Sequence, residues 1–281
     1  MPTPEPGCLQ VVATPIGNLG DLSPRALEVL RSVDLIAAED TRHTRQLLAA
    51  FGVSATLVAL HDHNEAEQCA GLVAHLLAGA SIALVSDAGT PLVSDPGFRL
   101  VQAAREAGIR VSPIPGACAA IAALSVAGIA SDRFVFEGFL PAKAAARRER
   151  LATLAAEPRT LIFYEASHRI VATLADAAKT LGPQRHAVVA RELTKHFETV
   201  LDGDLAKLHA RVSADPNQQR GEFVVIVEGA PAGDDDEALV LGRRAFSLLR
   251  QHLPPSQAAR PAAEISGAPR KRLYRIDDEP D

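Results

Sequence analysis

Residues 82–116 read IALVSDAGTPLVSDPGFRLVQAAREAGIRVSPIPG. The run 82–85 is wholly apolar, as strands buried on both faces are. A loop rich in Ser, Asp, Gly and Pro follows it. Asp95-Pro96 has the form of a helix start, an acidic N-cap with proline at the first helical position, and Gly108 is the matching stop. Residues 109–114 read as the next strand, and Gly116 as the opening of an alanine-rich helix. Short apolar runs alternating with helical stretches are the signature of an α/β protein.

The alternation extends both ways. Upstream, 9–14 reads as a strand. Ser23-Pro24 then caps a helix carrying Leu27, Leu30 and Val33 on one face. Strand 35–38, a helix from Thr41 to about Gly52, strand 56–60 and helix 65–77 complete the first block. Downstream, strand 134–137, a basic helix 143–154, strand 160–164 and helix 167–181 form a second. Gly182-Pro183 ends that last helix. Residues 187–191 and 197–201 read as paired strands, Asp204 as the cap of a short helix, and 222–228 as a closing strand.

The boundary between blocks is expected near 139–143. This gives an N-terminal α/β domain at 8–138 and a C-terminal α/β domain at 139–229. A Pro/Gly/Asp linker at 230–237 follows, then a helical extension at 238–281 whose two helical patterns start at Ala238 and Ser256.

Composition sets outer limits. The chain has 281 residues, 47% hydrophobic and 22% charged, a globular balance and enough length for two domains. Three cysteines, Cys8, Cys69 and Cys118, lie far apart without zinc spacing, so a reducing, cytoplasmic setting is expected. Residues 1–7 lack the features of a signal peptide. The uncharged stretch 111–131 is broken by Pro113, Pro115, Gly116 and Gly128 and is mostly alanine, so it reads as a buried helix and not a membrane span. A net charge of -5 and 4% aromatics count against indiscriminate binding to bare nucleic acid strands.

Open α/β sheets bind ligands at the carboxyl ends of their strands, and the loops there carry unusual residues. The first, TPIGNLGD at 14–21, matches neither common nucleotide signature. It fits a plain turn before a helix as well as a close backbone approach to a ligand. In the loop from Ser86 to Gly97, Asp87 stands directly after a buried strand and beside Gly89, placed to hydrogen-bond a cationic or hydroxyl-bearing ligand. The loop from Pro113 to Ala120 has small side chains, which suit either tight packing or a ligand lying on exposed N–H groups.

Polar clusters follow other strands: Glu39-Asp40-Thr41-Arg42, His61-Asp62-His63-Asn64, Tyr164-Glu165-Ala166-Ser167-His168-Arg169, and Arg191-Glu192-Leu193-Thr194-Lys195. The His-x-His pair lacks further ligands at metal spacing, so polar substrate contact is the better reading and no metal is expected. Basic residues gather at Lys143, Arg147, Arg148 and Arg150, and again at Arg270, Lys271, Arg272 and Arg275. Each patch is either a solubilising face or a phosphate contact.

Taken in order, TPIGNLGD, AEDTR, HDHNE, SDAGTPLVSDPG, PGACAAIAAL, FYEASHRI and RELTK closely resemble the ribosomal RNA small subunit methyltransferase I family of the tetrapyrrole-methylase superfamily. The resemblance covers about 9–228, and SGAPRKRLYRI resembles that family's C-terminal helical extension. Tetrapyrrole methylases usually carry a G-x-G-x-G-D-type first loop. TPIGNLGD in its place favours the rRNA branch.

The resemblance implies a two-domain tetrapyrrole-methylase-like α/β fold with S-adenosyl-L-methionine in the cleft. It implies 2'-O-methylation of a cytidine in the decoding region of 16S rRNA, with free rRNA or the small ribosomal subunit as substrate, and a homodimer. The alternative is a small-molecule, tetrapyrrole-like methyltransferase of the same superfamily. Cofactor-binding positions carried over are Pro15, Ile16, Gly17, Asp87, Gly89, Thr90, Pro91, Pro115, Gly116, Ala117, Cys118, Tyr164 and Ala166. Ala166-Ser167-His168-Arg169 stands where the family often has Ser-Pro-His-Arg, removing a proline that would fix the backbone.

Catalytic candidates are Glu39, Asp40, Glu165, Arg191, Glu192 and Lys195, with Lys195 or Glu192 as proton acceptor. For Lys195 that role requires a depressed pKa. Substrate-binding candidates are Arg42, His61, Asn64, Lys143, Arg147, Arg148, His168 and Arg169.

Overall fold

A computed structural model of the protein describes residues 7–61, 64–231 and 237–273. The first sheet is wholly parallel. Its strands are β1 (Cys8–Val12), β2 (Leu35–Ala38), β3 (Leu57–Ala59), β4 (Ile82–Val85) and β5 (Arg110–Ile114), in the order β3-β2-β4-β1-β5. Parallel neighbours need crossovers, and the helices that make them cover both faces. On one face, α1 (Pro24–Ser32) and α2 (Thr41–Ala50) pack Leu30 and Leu48 on Val12 and Ile36. On the other, α3 (Glu65–Leu77) and α4 (Phe98–Glu106) pack Leu72, Leu76 and Leu100 on Leu9 and Leu84. All four positions of β4 are therefore buried.

Adjacent strands β1 and β4 send their chains to helices on opposite faces, which opens a crevice beyond their carboxyl ends.

The second sheet runs β6-β7-β10-β8-β9: β6 (Phe134–Phe139), β7 (Thr160–Ala166), β8 (His186–Arg191), β9 (Thr199–Asp204) and β10 (Glu222–Val227). Apart from the parallel β6–β7 pair it is antiparallel. Helices α6 (Ala144–Thr153), α7 (Ile170–Leu181) and α8 (Leu205–Ala214) cover one face through Leu151, Leu174 and Leu205. The other face is covered by α5 (Ala119–Val126). Its Ala120, Ala123 and Leu124 lie on Ile162, Val188 and Ile226.

The chain from Gly229 onward, with 156–158, is a separate compact unit. It contains α9 (Glu237–Leu249), α10 (Pro255–Ser266) and a short third helix, α11 (Arg270–Leu273), beyond the two expected. Leu239, Phe246, Ala259, Ala262 and Leu273 form its core. No helix among the described residues is long and apolar enough to cross a membrane. Residues 232–236 of the linker, with Asp62, His63 and 274–281, lie outside the described residues.

Several expectations shift. Strand β6 pairs with β7, so the change of sheet comes before Phe134 and not at 139. Ser23 caps α1, its Oγ accepting from the Ala26 N–H. Asp95-Pro96, in contrast, does not open α4. That helix starts at Phe98 behind Gly97, whose φ of +117° brings it so close to the core that an added Cβ would lie 2.7 Å from Leu84 Cδ2. Asp204 precedes α8, but its carboxylate pairs with Lys207 instead of capping. Helix α5 begins at Ala119, because Gly116 is used for contact: a Cβ there would sit 2.9 Å from that of Ala13.

The cap of α4 comes from another helix. Glu65, the first residue of α3 and only 5% exposed, accepts from the Arg99 and Leu100 N–H groups at 2.8 and 3.3 Å. One buried carboxylate thus sits at the positive ends of two helices. Glu65→Ala leaves those two amides buried and unpaired. It is expected to lower stability by about 1–3 kcal/mol, read as a lower urea midpoint, and an unchanged midpoint would refute the assignment.

Candidate active site

A cavity of about 360 Å³ lies between the carboxyl ends of the first sheet's strands and the second sheet. That volume suits a small cofactor. On the first-sheet side, the loops after β1 and β4 are joined by a two-way backbone bridge. The Thr14 N–H donates to Gly89 O at 2.9 Å and the Gly89 N–H to Thr14 O at 3.1 Å. Gly89 holds φ +81°, and a Cβ there would press to 3.2 Å from Ile16 Cγ2, so the cradle is closed to any larger residue. Thr90 Oγ1 donates to Ala117 O at 3.0 Å, tying in the loop after β5. Asp87 Oδ1 accepts from the Asp40 N–H, and Glu39 Oε2 accepts from the Asp87 N–H, so the acids after neighbouring strands β2 and β4 orient one another.

The second sheet supplies Tyr164, Glu165 and Ala166 from the end of β7. The Tyr164 hydroxyl accepts from the Ala120 N–H at 3.1 Å, and its ring meets those of Phe136 and Phe139 edge-on. Burial, reinforced by nearby Cys118, pushes this phenol well above its usual range and keeps it neutral.

Glu165 has a fully buried carboxylate. It accepts from the Ala166 N–H and Thr173 Oγ1, and it pairs with Arg169, whose Nη2 also donates to Leu140 O. This network fixes the turn at 166–169 without the proline that the resemblance leads one to expect.

Lys195 crosses to the first sheet's loop. Its side chain lies on Gly17, where a Cβ would fall 2.3 Å from Lys195 Cγ. The ammonium is held by Glu192 Oε1 at 2.9 Å and Glu222 Oε2 at 2.7 Å. Burial alone would lower its pKa, but the hydrogen bonds to Glu222 and Glu192 prevail and the net direction is up. That is the reverse of the shift a basic lysine needs. Glu192 is set as an anion. Burial would raise it, but the Lys195 bond and the Glu222 N–H bring it below the usual carboxylate range. Glu192 also lies against Gly221, where a Cβ would come within 2.4 Å of its Cδ.

Of the expected residues, Ile16, Glu39, Asp87, Gly89, Thr90, Tyr164, Glu165 and Ala166 line the cavity. Gly17, Ala117 and Glu192 shape it through the contacts above. Pro15, Pro91, Pro115, Gly116 and Cys118 do not line it, although the last three lead into α5.

Other candidates hold structure. The Arg191 guanidinium is buried and donates to Arg220 O and Phe197 O. Asp40 caps α2 and pairs with Arg42, which holds its carboxyl far below the usual range. Asn64 closes the turn at His61. His61 has no described metal-ligating cluster around it, and its companion His63 is outside the described residues. Arg147, 5% exposed, forms a 2.7 Å ion pair with Asp176, which Arg148 also approaches. Lys143 stands at the start of α6, away from the cavity lining. His168 belongs to a neighbouring pocket.

The sequence reading missed Glu222, Asp95, Phe139 and Leu193, all of which line the cavity. It also missed a concentration of strain. Leu92, Ser94, Glu192 and Thr194 all have positive φ without being glycine, and they flank Val93 and Leu193 of the lining.

Residues 9–209 match the family described as Tetrapyrrole (Corrin/Porphyrin) Methylases, and 234–276 match the one described as RsmI C-terminal HTH domain. The chain is 65% identical over 269 residues to the ribosomal RNA small subunit methyltransferase I of Xylella fastidiosa strain 9a5c, covering 96% of this chain and 98% of that one. It is 56% identical over 270 residues to the protein of the same name from Pseudomonas aeruginosa, with 96% of each covered. Among solved structures, uroporphyrin-III C-methyltransferase from Thermus thermophilus complexed with S-adenosyl homocysteine shares the fold. Its TM-score is 0.55 at 19% identity, over 79% of this chain and 97% of that one.

The Lys195 clasp has a pH signature. A raised lysine stabilises below the ordinary lysine range and loses its effect as pH climbs through the higher folded value. A lowered carboxylate stabilises above the ordinary carboxylate range and loses its effect as pH falls through the lower folded value. Lys195→Met is therefore expected to cost the same stability at about pH 6 and about pH 8, and less below about pH 4. In the Lys195→Ala background, thermal melts should show Gly17→Ala costing less than half what it costs in the wild type. Strict additivity would exclude the contact.

Proposed function

We propose that this chain, which belongs to the tetrapyrrole (corrin/porphyrin) methylase family and to its ribosomal RNA small subunit methyltransferase I branch, methylates the ribose 2'-oxygen of a cytidine in the decoding region of 16S rRNA. The observation that carries the reading is near-full-length identity to relatives bearing that name, joined to a cavity built from the loops that the resemblance selects. The small-molecule alternative rests on neighbours at about 20% identity, which share the fold alone.

The cavity suits S-adenosyl-L-methionine on its chemistry. The charged groups lining it are Glu39, Asp87, Asp95, Glu165 and Glu222, all acidic, which suits a cationic ligand. When bound, the cofactor supplies a sulfonium methyl whose carbon–sulfur bond breaks as the oxygen–carbon bond forms, leaving a neutral thioether. Gly89 and Ile16 close the floor, Thr90 fixes the wall from the loop after β5, and Tyr164 with Phe139 gives an apolar flank.

The reaction releases the 2'-hydroxyl proton. We assign its acceptance to Glu222, whose side chain is 75% exposed at the cavity and is held through one oxygen by the Lys195 ammonium. Lys195 and Glu192 position that carboxylate. Glu165, with its oxygens occupied inside the fold, positions the turn after β7. Most of the rate then comes from alignment, with reacting atoms held about 3–3.5 Å apart. The reading carries a homodimer and a cytoplasmic setting with it.

Isolated small ribosomal subunits incubated with enzyme and methyl-labelled cofactor are expected to acquire label at one cytidine ribose. Glu222→Gln should lower turnover at saturating cofactor by about 10²-fold or more. Label absent from RNA would overturn the function, and full turnover by Glu222→Gln would overturn the proton acceptor alone.

A further inference from the structure

We propose that a second pocket, beside the cavity on the second sheet, binds a backbone phosphate of the RNA next to the target nucleotide. This rests on the RNA substrate proposed above. The pocket, about 430 Å³, is lined by Ser167, His168 and Val171 on one side and by Gln219, Arg220 and Gly221 on the other. It continues the cavity directly. Ala166 and Glu222 are ladder partners that line the cavity, and the next residues outward on the two chains, Ser167 and Gly221, line the pocket. One or two residues at about 3.3 Å each separate the two sites, within the span of one nucleotide.

The two sites have opposite charge. The cavity's charged lining is acidic throughout, whereas the pocket has His168 and Arg220 and no acid. Of the acids flanking the lining in sequence, Asp215 accepts from the Asn217 N–H, and Glu222 is held by Lys195. Helix α7, twelve residues long, begins at Ile170 and directs its positive end toward the same place, adding to the two side chains.

The pocket is also built. Arg191, buried behind it, donates from Nε to Arg220 O at 2.6 Å and holds the 219–221 rim from below. Gln219 Nε2 donates to Val212 O and Ser213 O. Gly221, at φ +92°, makes the sharp turn that separates Arg220 from Glu222. Opposite, Glu165 and Arg169 fix the 166–169 turn that presents Ser167 and His168. A cationic cavity ligand and an anionic backbone group thus have adjacent places of matching sign. Arg220 and His168 become residues that position the RNA without touching the reacting atoms.

The test compares wild type, Arg220→Glu, Arg220→Lys and His168→Ala in binding to isolated small ribosomal subunits, in KM for subunits, and in affinity for S-adenosyl homocysteine by calorimetry. Arg220→Glu is expected to weaken subunit binding and raise KM by tenfold or more, with S-adenosyl homocysteine affinity within twofold of wild type. It should also flatten the salt dependence of subunit binding by about one phosphate contact. Arg220→Lys should keep most of the binding, and His168→Ala should show a smaller loss of the same kind. If wild type methylates subunits and Arg220→Glu binds them equally well, the phosphate pocket is wrong and the enzyme assignment stands. Equal losses in subunit and S-adenosyl homocysteine affinity would also overturn the pocket, by showing general damage. Failure of wild type to methylate RNA at all would remove the reading on which the pocket rests.

Discussion

The close approach of α5 to the second sheet is the contact on which the site depends. Small facing side chains let a helix lie near a sheet, and Ala120 and Ala123 pack in one buried cluster with Ile162, Val188 and Ile226. The same helix follows directly from the loop after β5 of the first sheet, so its seat sets where that sheet's strand ends stand against the second sheet. The Tyr164 hydroxyl accepting from the Ala120 N–H makes the seat specific, because it satisfies one of the orphan amides at the start of α5. A cavity with walls from two sheets then follows from packing as much as from any ligand-directed residue.

What sequence could reveal here follows a physical divide. Strands β2 and β4 and helix α3 are legible to the residue because burial on both faces, or a clear 3.6 period, leaves a local trace. Cap positions are legible when the cap is local, as at Ser23, and illegible when it is tertiary. The buried carboxylate at the start of α4 comes from Glu65, more than thirty positions away, while the locally convincing Asp95-Pro96 has no such role. The boundary at 139 fails for a similar reason: nothing in residues 134–139 states which of two sheets will pair with them.

The site divides in the same way. Loops after parallel strands point to it through topology, which is why Asp87 beside Gly89 could be named from the residues, whereas Thr90 came only with the resemblance. Glu222 could not be named. It sits at the start of a strand, where topology predicts no chemistry, and reaches the cavity because β10 runs antiparallel to β7. Arg191, expected at the reacting centre, and Arg169 and Arg147, expected to bind substrate, are interior ties, since a guanidinium with several fixed donors is well suited to hold carbonyls and carboxylates together. A charged residue at a strand end therefore has two common uses, and only its partners distinguish them.

Net charge of -5 looked adverse to an RNA substrate. Resolved in space, it is compatible with one. The acids that line the cavity are where a sulfonium needs them, and the Lys195 ammonium offsets part of the charge that Glu192 and Glu222 would otherwise present to an approaching backbone. Beside them, one arginine and one histidine occupy a pocket without acids. A protein that met RNA through bulk attraction would need excess positive charge everywhere and would grip many sites weakly. One that places single cations next to an anionic cavity instead repels RNA except where the fit is local. The acidic balance then becomes part of the selectivity for one folded site.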